Sequence, residues 1–95
     1  MNEPISVEIF LPSLLHATVG GRSAVTVEAA TFQSCLDALV ATYPLVGPHL
    51  FDDGGTLREH VNIFFNDQNS RWLDDWNQSV RAGDTITILQ AVSGG

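Results

Sequence analysis

Two segments near the start of the chain alternate between apolar and polar residues, as half-buried β-strands do. In ISVEIF, residues 5–10, every odd-numbered position is aliphatic, so these side chains share one face and Phe10 lies on the other. AVTVE, residues 24–28, repeats the pattern with a valine at each buried position. Gly20-Gly21 lies between the two segments and supplies a turn at little steric cost. We therefore predict a β-hairpin closed near this glycine pair.

The apolar period lengthens to three and four residues in TFQSCLDALVATYP, residues 31–44, which predicts an amphipathic helix. Its apolar stripe consists of Phe32, Cys35, Leu36, Leu39, Val40 and Tyr43. Thr31 is placed to cap the helix and Pro44 to end it. Because Cys35 lies on the stripe, we interpret it as a buried structural cysteine rather than a reactive one.

Alternation resumes in HVNIFFN, residues 60–66, and predicts a third strand. Its helix-facing side comprises Val61, Ile63 and Phe65, and its other side comprises Asn62 and Phe64. NDQN, residues 66–69, is a turn sequence, and a short strand is predicted around residues 71–73. The stretch before this group is irregular, with one helical turn predicted at residues 48–51 and a loop at 54–55.

The last segment, DTITILQAV at residues 84–92, is rich in β-branched residues and follows a turn at Gly83-Asp84. One face of this strand carries Ile86 and Ile88, and the other carries Thr87 and Leu89. The predicted order is thus two strands, a helix, a loop, a strand, a short strand and a final strand. A mixed β-sheet packed on one main helix is a two-layer α+β fold.

Length and composition describe a single globular domain. The chain has 95 residues, of which 44% are hydrophobic and 16% are charged. No stretch approaches the run of about 20 apolar residues that a membrane span needs, so we expect no membrane partner. MNEPISVEIF lacks the positive charge and the unbroken apolar run of a secretory signal, and we therefore expect a cytoplasmic location.

The charge balance is strongly acidic. All four cations are arginines, and the eleven carboxylates give a net charge of -7. Such a field repels polyanions, which argues against a nucleic-acid partner. We expect a protein partner with a basic face, although the charge is equally well explained as a contribution to solubility.

The side chains within the chain provide no convincing active site. His16, His49 and His60 have no metal-ligand spacing, and the adjacent pairs Asp52-Asp53 and Asp74-Asp75 do not follow the alternating pattern of a calcium loop. No phosphate-binding loop with a lysine and no nucleophile elbow is present. We therefore predict neither a metal site nor a bound cofactor.

The segment AVSGG, residues 91–95, holds a third glycine pair that needs no turn to explain it. A main-chain carboxylate on Gly95 could be threaded into a narrow active site of another protein, where a Cβ on either of the last two residues would collide. The reactive group would then belong to the main chain, and the catalytic machinery to the partner.

The element order together with AGDTITILQAVSGG resembles the ubiquitin-like sulfur carriers of the MoaD/ThiS family. The resemblance implies a β-grasp domain over residues 1–91 and a flexible tail at 92–95. It also implies that the chain is a protein cosubstrate rather than an enzyme. A ubiquitin-activating-type enzyme would use ATP to adenylate Gly95, a sulfur donor would convert the adenylate to a thiocarboxylate, and a sulfur-accepting synthase would receive the sulfide.

The resemblance assigns roles to the last residues. Gly95 carries the acyl group, Gly94 gives clearance, and Val92 and Ser93 belong to the arm. Gln90, at the root of the arm, stands where many relatives have proline, and we predict that it takes part in partner docking. Strand alternation, independently of the resemblance, places Phe10, Phe64 and Leu89 on the outer face of the sheet, where we predict a docking patch. The alternatives are that loops cover these side chains or that they are scattered singly.

Several alternatives stay open from the sequence. A ubiquitin-like modifier would also begin by adenylation but would join Gly95 to lysines of other proteins, and a plain β-grasp binding module would use the tail for neither purpose. Among carriers, the sequence looks closest to the cysteine-biosynthesis type, with molybdopterin synthesis and other sulfur-containing metabolites as further possibilities. Trp72 and Trp76 are interpreted either as loop anchors on the core or as parts of an interface.

Overall fold

The computed structural model describes residues 4–90, so the tail residues 91–95 lie outside the described residues. The strands are β1 (Ile5–Phe10), β2 (Ala24–Ala29), β3 (Val61–Phe65), β4 (Gln68–Asn69) and β5 (Thr85–Gln90). The α-helices are α1 (Phe32–Thr42) and α2 (Gly47–Leu50), and three 3-10 segments cover Ser13–Val19, Pro44–Val46 and Ser70–Trp72. The strands form one mixed sheet in the order β2-β1-β5-β3-β4. The predicted two-layer α+β arrangement is confirmed.

The predicted hairpin between β1 and β2 is confirmed, with Val7 opposite Val27 in an antiparallel pair. Its connection is longer than a turn because it contains the 3-10 segment Ser13–Val19, which the sequence analysis did not predict. Gly20 and Gly21 close this connection in the left-handed region, with φ angles of 71° and 84°. A residue with a Cβ rarely adopts such angles, which explains the glycine pair.

Strand β5 occupies the centre of the sheet. It pairs in parallel with β1 and antiparallel with β3, so that Thr87 lies between Phe10 and Phe64. Its pairing with β1 ends at Thr87, whereas its pairing with β3 continues to Gln90, the last residue of the strand. The helices formed within residues 4–90 include none with the length and apolar character needed to cross a membrane.

Helix α1 begins where predicted, at Phe32 after the cap residue Thr31. The Thr31 hydroxyl accepts from the Ser34 amide while the Ser34 hydroxyl accepts from the Thr31 amide, and this reciprocal pair forms a capping box. Phe32 is fully buried, with ring centroids 5.2 Å from Phe65 and 5.1 Å from Trp76. Trp76 is thus a loop anchor on the core, which is one of the two interpretations given from the sequence.

The strand predicted at residues 71–73 is wrong. Strand β4 lies earlier, at Gln68–Asn69, and Ser70–Trp72 forms a 3-10 turn. The Asn69 side chain accepts from the Arg71 amide and so favours the turn over an extended chain. The turn predicted at 66–69 is therefore only two residues long, between β3 and β4. The helical turn predicted at 48–51 is found one residue earlier, as α2.

Candidate functional site

The predicted tail residues Val92, Ser93, Gly94 and Gly95 fall outside the described residues, which end at the root of the tail. Gln90 is the last residue of β5 and pairs with Val61 at the start of β3. The root therefore leaves the sheet from its central strand.

A side-chain contact holds the tail root. Gln90 Nε2 lies 3.2 Å from His60 Nε2, within hydrogen-bonding distance. The other amide atom, Oε1, is buried and has no hydrogen-bond partner among the described residues. Sequence reasoning missed His60 as a partner of Gln90. The available signal was its position directly before β3, because antiparallel pairing brings the start of one strand to the end of its neighbour.

The segment that carries His60 is fixed from the side by Arg71. Its Nη2 atom donates to the carbonyl oxygens of Arg58, at 2.8 Å, and of Val61, at 2.7 Å, and makes a longer contact of 3.3 Å with that of Glu59. The guanidinium thus satisfies carbonyl oxygens of this segment on the side where β4 does not extend. The position of Gln90 is consequently determined by β3 and by the 3-10 turn after β4.

The predicted outer-face residues are brought together by the strand register. Phe10 and Phe64 flank Thr87 from opposite sides, and Leu89 lies two residues further along β5, opposite Asn62. Adjacent strands are about 5 Å apart, so the three apolar side chains fall within about 10 Å of one another across the face. Phe10 is 40% exposed and Leu89 is 49% exposed, while Phe64 is half-buried. These three residues are called the outer-face patch below.

The same face becomes acidic away from the outer-face patch. Glu8 lies between Thr26 and Thr85, and Glu28 pairs with Ser6, so both carboxylates point to the side that carries Phe10. Both are exposed. The face therefore presents an apolar end next to the tail root and an acidic end beyond it.

The other candidate residues do not assemble into a site. His16 Nε2 lies 3.0 Å from the Leu11 carbonyl oxygen, and no group of three or more His, Cys, Asp or Glu side chains within residues 4–90 is arranged to hold a metal. An open groove of about 430 Å³ runs along α1, between Gln33 and Phe51, and contains none of the predicted site residues. Trp72 is largely exposed, in contrast to Trp76.

Comparison with known proteins places the chain in a family. Residues 10–95 match the model of the ThiS family, which covers the outer-face patch, the tail root and the glycine pair. The chain belongs to the ThiS family. It is 31% identical over 93 residues to the sulfur carrier protein CysO of Mycobacterium tuberculosis, covering 96% of this chain and all of that protein. It is 33% identical over 82 residues to small archaeal modifier protein 1 of Haloferax volcanii, covering 83% of this chain and 90% of that protein.

The solved structures agree with this assignment. CysO in the BexX/CysO complex from Amycolatopsis orientalis superposes with a TM-score of 0.80 at 29% identity, covering 94% of this chain and 99% of that one. The fold is thus the ubiquitin-like β-grasp expected from the resemblance. These relatives are small carrier and modifier proteins, which is consistent with a chain that is not itself a catalyst.

Proposed function

We propose that this ThiS-family protein is a sulfur carrier whose Gly95 main-chain carboxylate is adenylated, converted to a thiocarboxylate and used to donate sulfide to a biosynthetic enzyme. The observation that carries the proposal is the family match, which extends through β5 and the glycine pair to residue 95. The chain is also similar to a small archaeal modifier protein, so an experiment must decide whether Gly95 accepts sulfur.

The order of the chemistry follows from the weakness of a carboxylate as an acyl donor. Attack of the Gly95 carboxylate on the α-phosphorus of ATP releases pyrophosphate and leaves an acyl adenylate. A sulfur nucleophile at the oxidation level of sulfide then attacks the acyl carbon, and AMP leaves as the carbon–sulfur bond forms. ATP binds to the activating partner, and this chain contributes the acyl group and a backbone with no Cβ at its last two positions.

The tail and the sheet face are suited to act together. Residues 92–95, if extended, span roughly 13 Å, which suffices to enter a buried active site from the surface of a partner. Leu89 of the outer-face patch directly precedes the tail root, so a partner that covers the patch also faces the start of the tail. We propose that the adenylating enzyme docks on the outer-face patch while the tail enters its active site, and that the same tail later enters the sulfur-accepting synthase.

The test is sulfur loading in a reaction of purified chain, adenylating enzyme, ATP and sulfur donor, read by intact mass. Deletion of Gly95 and the substitution Gly94→Leu should both abolish the mass increase for one oxygen replaced by sulfur. Gly54→Ala is the matched control, because Gly54 lies in an exposed loop and an added Cβ would meet only Asp52 Oδ1, at 3.4 Å. Normal loading of the truncated chain would contradict the proposal.

A second candidate function is supported by the likeness to small archaeal modifier protein 1. A modifier would transfer the Gly95 acyl group to lysine amines of other proteins instead of accepting sulfur. Branched peptides that carry a Gly-Gly remnant on lysine, in cells that produce this chain but not in cells that produce the Gly95 deletion, would support that function.

Two finer expectations belong with the carrier proposal. The CysO relatives favour the cysteine-type carrier over one that serves molybdopterin synthesis, as the sequence resemblance implied. Use by ATP-dependent enzymes favours the cytoplasm as the site of action. Both are tested by identifying the synthase that consumes the thiocarboxylate in a cell extract.

A further inference from the structure

Two arginines lie beside the tail root on the β3 side. Arg71 donates to the carbonyl oxygens of Arg58 and Val61, and Val61 pairs with Gln90. The Arg58 Nε atom donates to the Pro48 carbonyl oxygen at 2.7 Å. All these acceptors are neutral, so both guanidinium groups keep a net positive charge that a partner can meet.

A third arginine lies on the opposite side of the root. The sheet order places β2 and β3 on different sides of β5. The β1–β2 hairpin continues beyond its strands, since the Leu11 amide donates to the Ser23 carbonyl at 2.9 Å, and the exposed Arg22 precedes Ser23. Its guanidinium donates to the Tyr43 hydroxyl at 3.0 Å, which is again a neutral group.

Exposed leucines accompany these cations. Leu14 is 63% exposed in the 3-10 segment Ser13–Val19, and Leu45 is 70% exposed in Pro44–Val46, and the two segments contact each other. Because β1 and β5 are parallel, the chain that follows β1 begins beside the end of β5. The leucines and the three arginines Arg22, Arg58 and Arg71 are called the tail-end collar below.

The opposite end of the molecule has the opposite charge. Its carboxylates include Glu28 opposite Ser6, Asp67 in the turn between β3 and β4, and Asp84 directly before β5. Asp84 marks this end, because its Oδ1 atom accepts from Asn66 at the far end of β3. Arg81 belongs to the same turn, where its amide donates to Asp84 Oδ2. The tail end carries three arginines beside Glu59, and Asp52 and Asp53 follow α2 in the loop that leads to Arg58, so the net charge of -7 is unevenly distributed along the strands.

We infer that the tail-end collar is a docking surface for a protein partner whose site entrance presents apolar side chains ringed by aspartates and glutamates. This inference rests on the proposed function, because it is the tail that such an entrance would receive. Positive charge around the root attracts an acidic rim, and the acidic far end is repelled by it, so the field turns the tail toward the entrance during approach. The charge near the tail root therefore favours a partner with an acidic rim, whereas the net charge of the whole chain favoured a partner with a basic face.

The test compares two charge reversals of equal size at opposite ends. Arg22→Glu alters the tail-end collar, and Arg81→Glu alters the far end, and both arginines are exposed. The association rate constant of each variant with the adenylating enzyme of the same cell is measured by stopped-flow at low and at high ionic strength. Arg22→Glu should slow association about tenfold at low salt, with the difference vanishing at high salt, whereas Arg81→Glu should leave the rate nearly unchanged or raise it.

The two reversals also give the outcomes that would overturn the inference. Equal slowing by both variants would show a response to net charge alone, and faster association of Arg22→Glu would show a basic entrance. Sulfur loading of the parent chain is measured in the same samples. A salt-dependent difference between the variants without any thiocarboxylate would refute the carrier function but support the docking surface. Sulfur loading of the parent chain without a difference between the variants would refute the docking surface but support the carrier function.

Discussion

At the scale of single residues, the turn between β3 and β4 depends on Asn66. It has a φ of 57°, the only positive value of a non-glycine residue within residues 4–90. Its side chain also holds the start of β5, because Oδ1 accepts from the Thr85 amide at 3.0 Å and Nδ2 donates to Asp84 at 3.2 Å. Asparagine therefore serves both the backbone conformation and the contact with β5.

Substitution of Asn66 separates these two contributions. Asn66→Gly keeps the backbone conformation accessible but loses both side-chain hydrogen bonds, and should cost about 1–2 kcal/mol of unfolding free energy. Asn66→Ala loses the same bonds and adds left-handed strain of about 1–2 kcal/mol. Urea denaturation of the two variants measures the difference, and equal stabilities would show that the strain is not present.

A second prediction concerns Cys35, which is fully buried on α1 as its place on the apolar stripe predicted. Burial, with a smaller contribution from the Asp84 carboxylate, raises the pKa of this thiol from 9.0 to about 11. Below pH 9 the thiol is protonated in both states and stabilises the fold fully. As the pH rises from 9 through about 11, the unfolded chain releases the proton first, so the free energy of unfolding should fall.

Two measurements check the behaviour of Cys35. A thiol-alkylating reagent should label the native protein at pH 8 far more slowly than the urea-unfolded chain. Cys35→Ala should show a weaker loss of stability between pH 9 and pH 11 than the parent. Rapid labelling of the native protein, or the same pH dependence in both proteins, would contradict the buried protonated thiol.

Residue-scale features were predictable from the sequence where they depend on local pattern. Alternation correctly assigned the faces of β1, β2, β3 and β5, including the outward side of Phe10. The contact between His60 and Gln90 was not predictable in the same way, because 30 residues separate them and only the pairing of β3 with β5 brings them together. The orientation of Arg71 toward three carbonyl oxygens likewise depends on tertiary structure.

At the scale of elements, α1 is the best specified part of the chain, because its stripe, cap and stop residue agree. Thr31→Ala removes the hydroxyl that accepts from Ser34 and should lower the free energy of unfolding by about 1 kcal/mol. Thr42→Ala, in the last turn of the same helix, is the matched control and should change stability by much less. Equal effects in chemical denaturation would show that the capping box contributes nothing beyond helix propensity.

The short elements were less predictable than the long ones. Strand β4 has two residues and the turn after it three, so neither contains enough positions for a hydrophobic period. The side chain of Asn69 decides between strand and turn there, through one hydrogen bond to the Arg71 amide. The 3-10 segment after β1 was also not predicted, because its two buried residues, Leu15 and Val19, are too few to define a hydrophobic period.

The sheet as an element carries the prediction about docking. Phe64→Asp places a charge within the outer-face patch and should weaken binding to the adenylating enzyme at least tenfold. Thr26→Asp is the matched control, because it adds the same charge at the acidic end of the same face. Calorimetric titration measures both affinities, and circular dichroism verifies that each variant folds. Equal affinity of Phe64→Asp and the parent would remove the outer-face patch from the interface.

At the scale of the whole molecule, the fold brings the functional features to one end. Strand β5 is central in the sheet and its last residue, Gln90, pairs with β3, and the outer-face patch and the tail-end collar lie next to this tail root. The order of elements and the glycine pair sufficed to predict the family from the sequence. The gathering of three arginines at the tail end was not predictable, because their positions in sequence are far apart and the total charge is acidic.

The central claim is that Gly95 carries sulfur, and the most direct measurement is the intact mass of the chain isolated from the cells that make it. Cells starved of the final sulfur-containing product should accumulate a form in which one terminal oxygen is replaced by sulfur, and alkylation should locate that sulfur on Gly95. A chain that is never thiocarboxylated, and that is recovered instead through its Gly95 acyl group on lysines of other proteins, would contradict the carrier account.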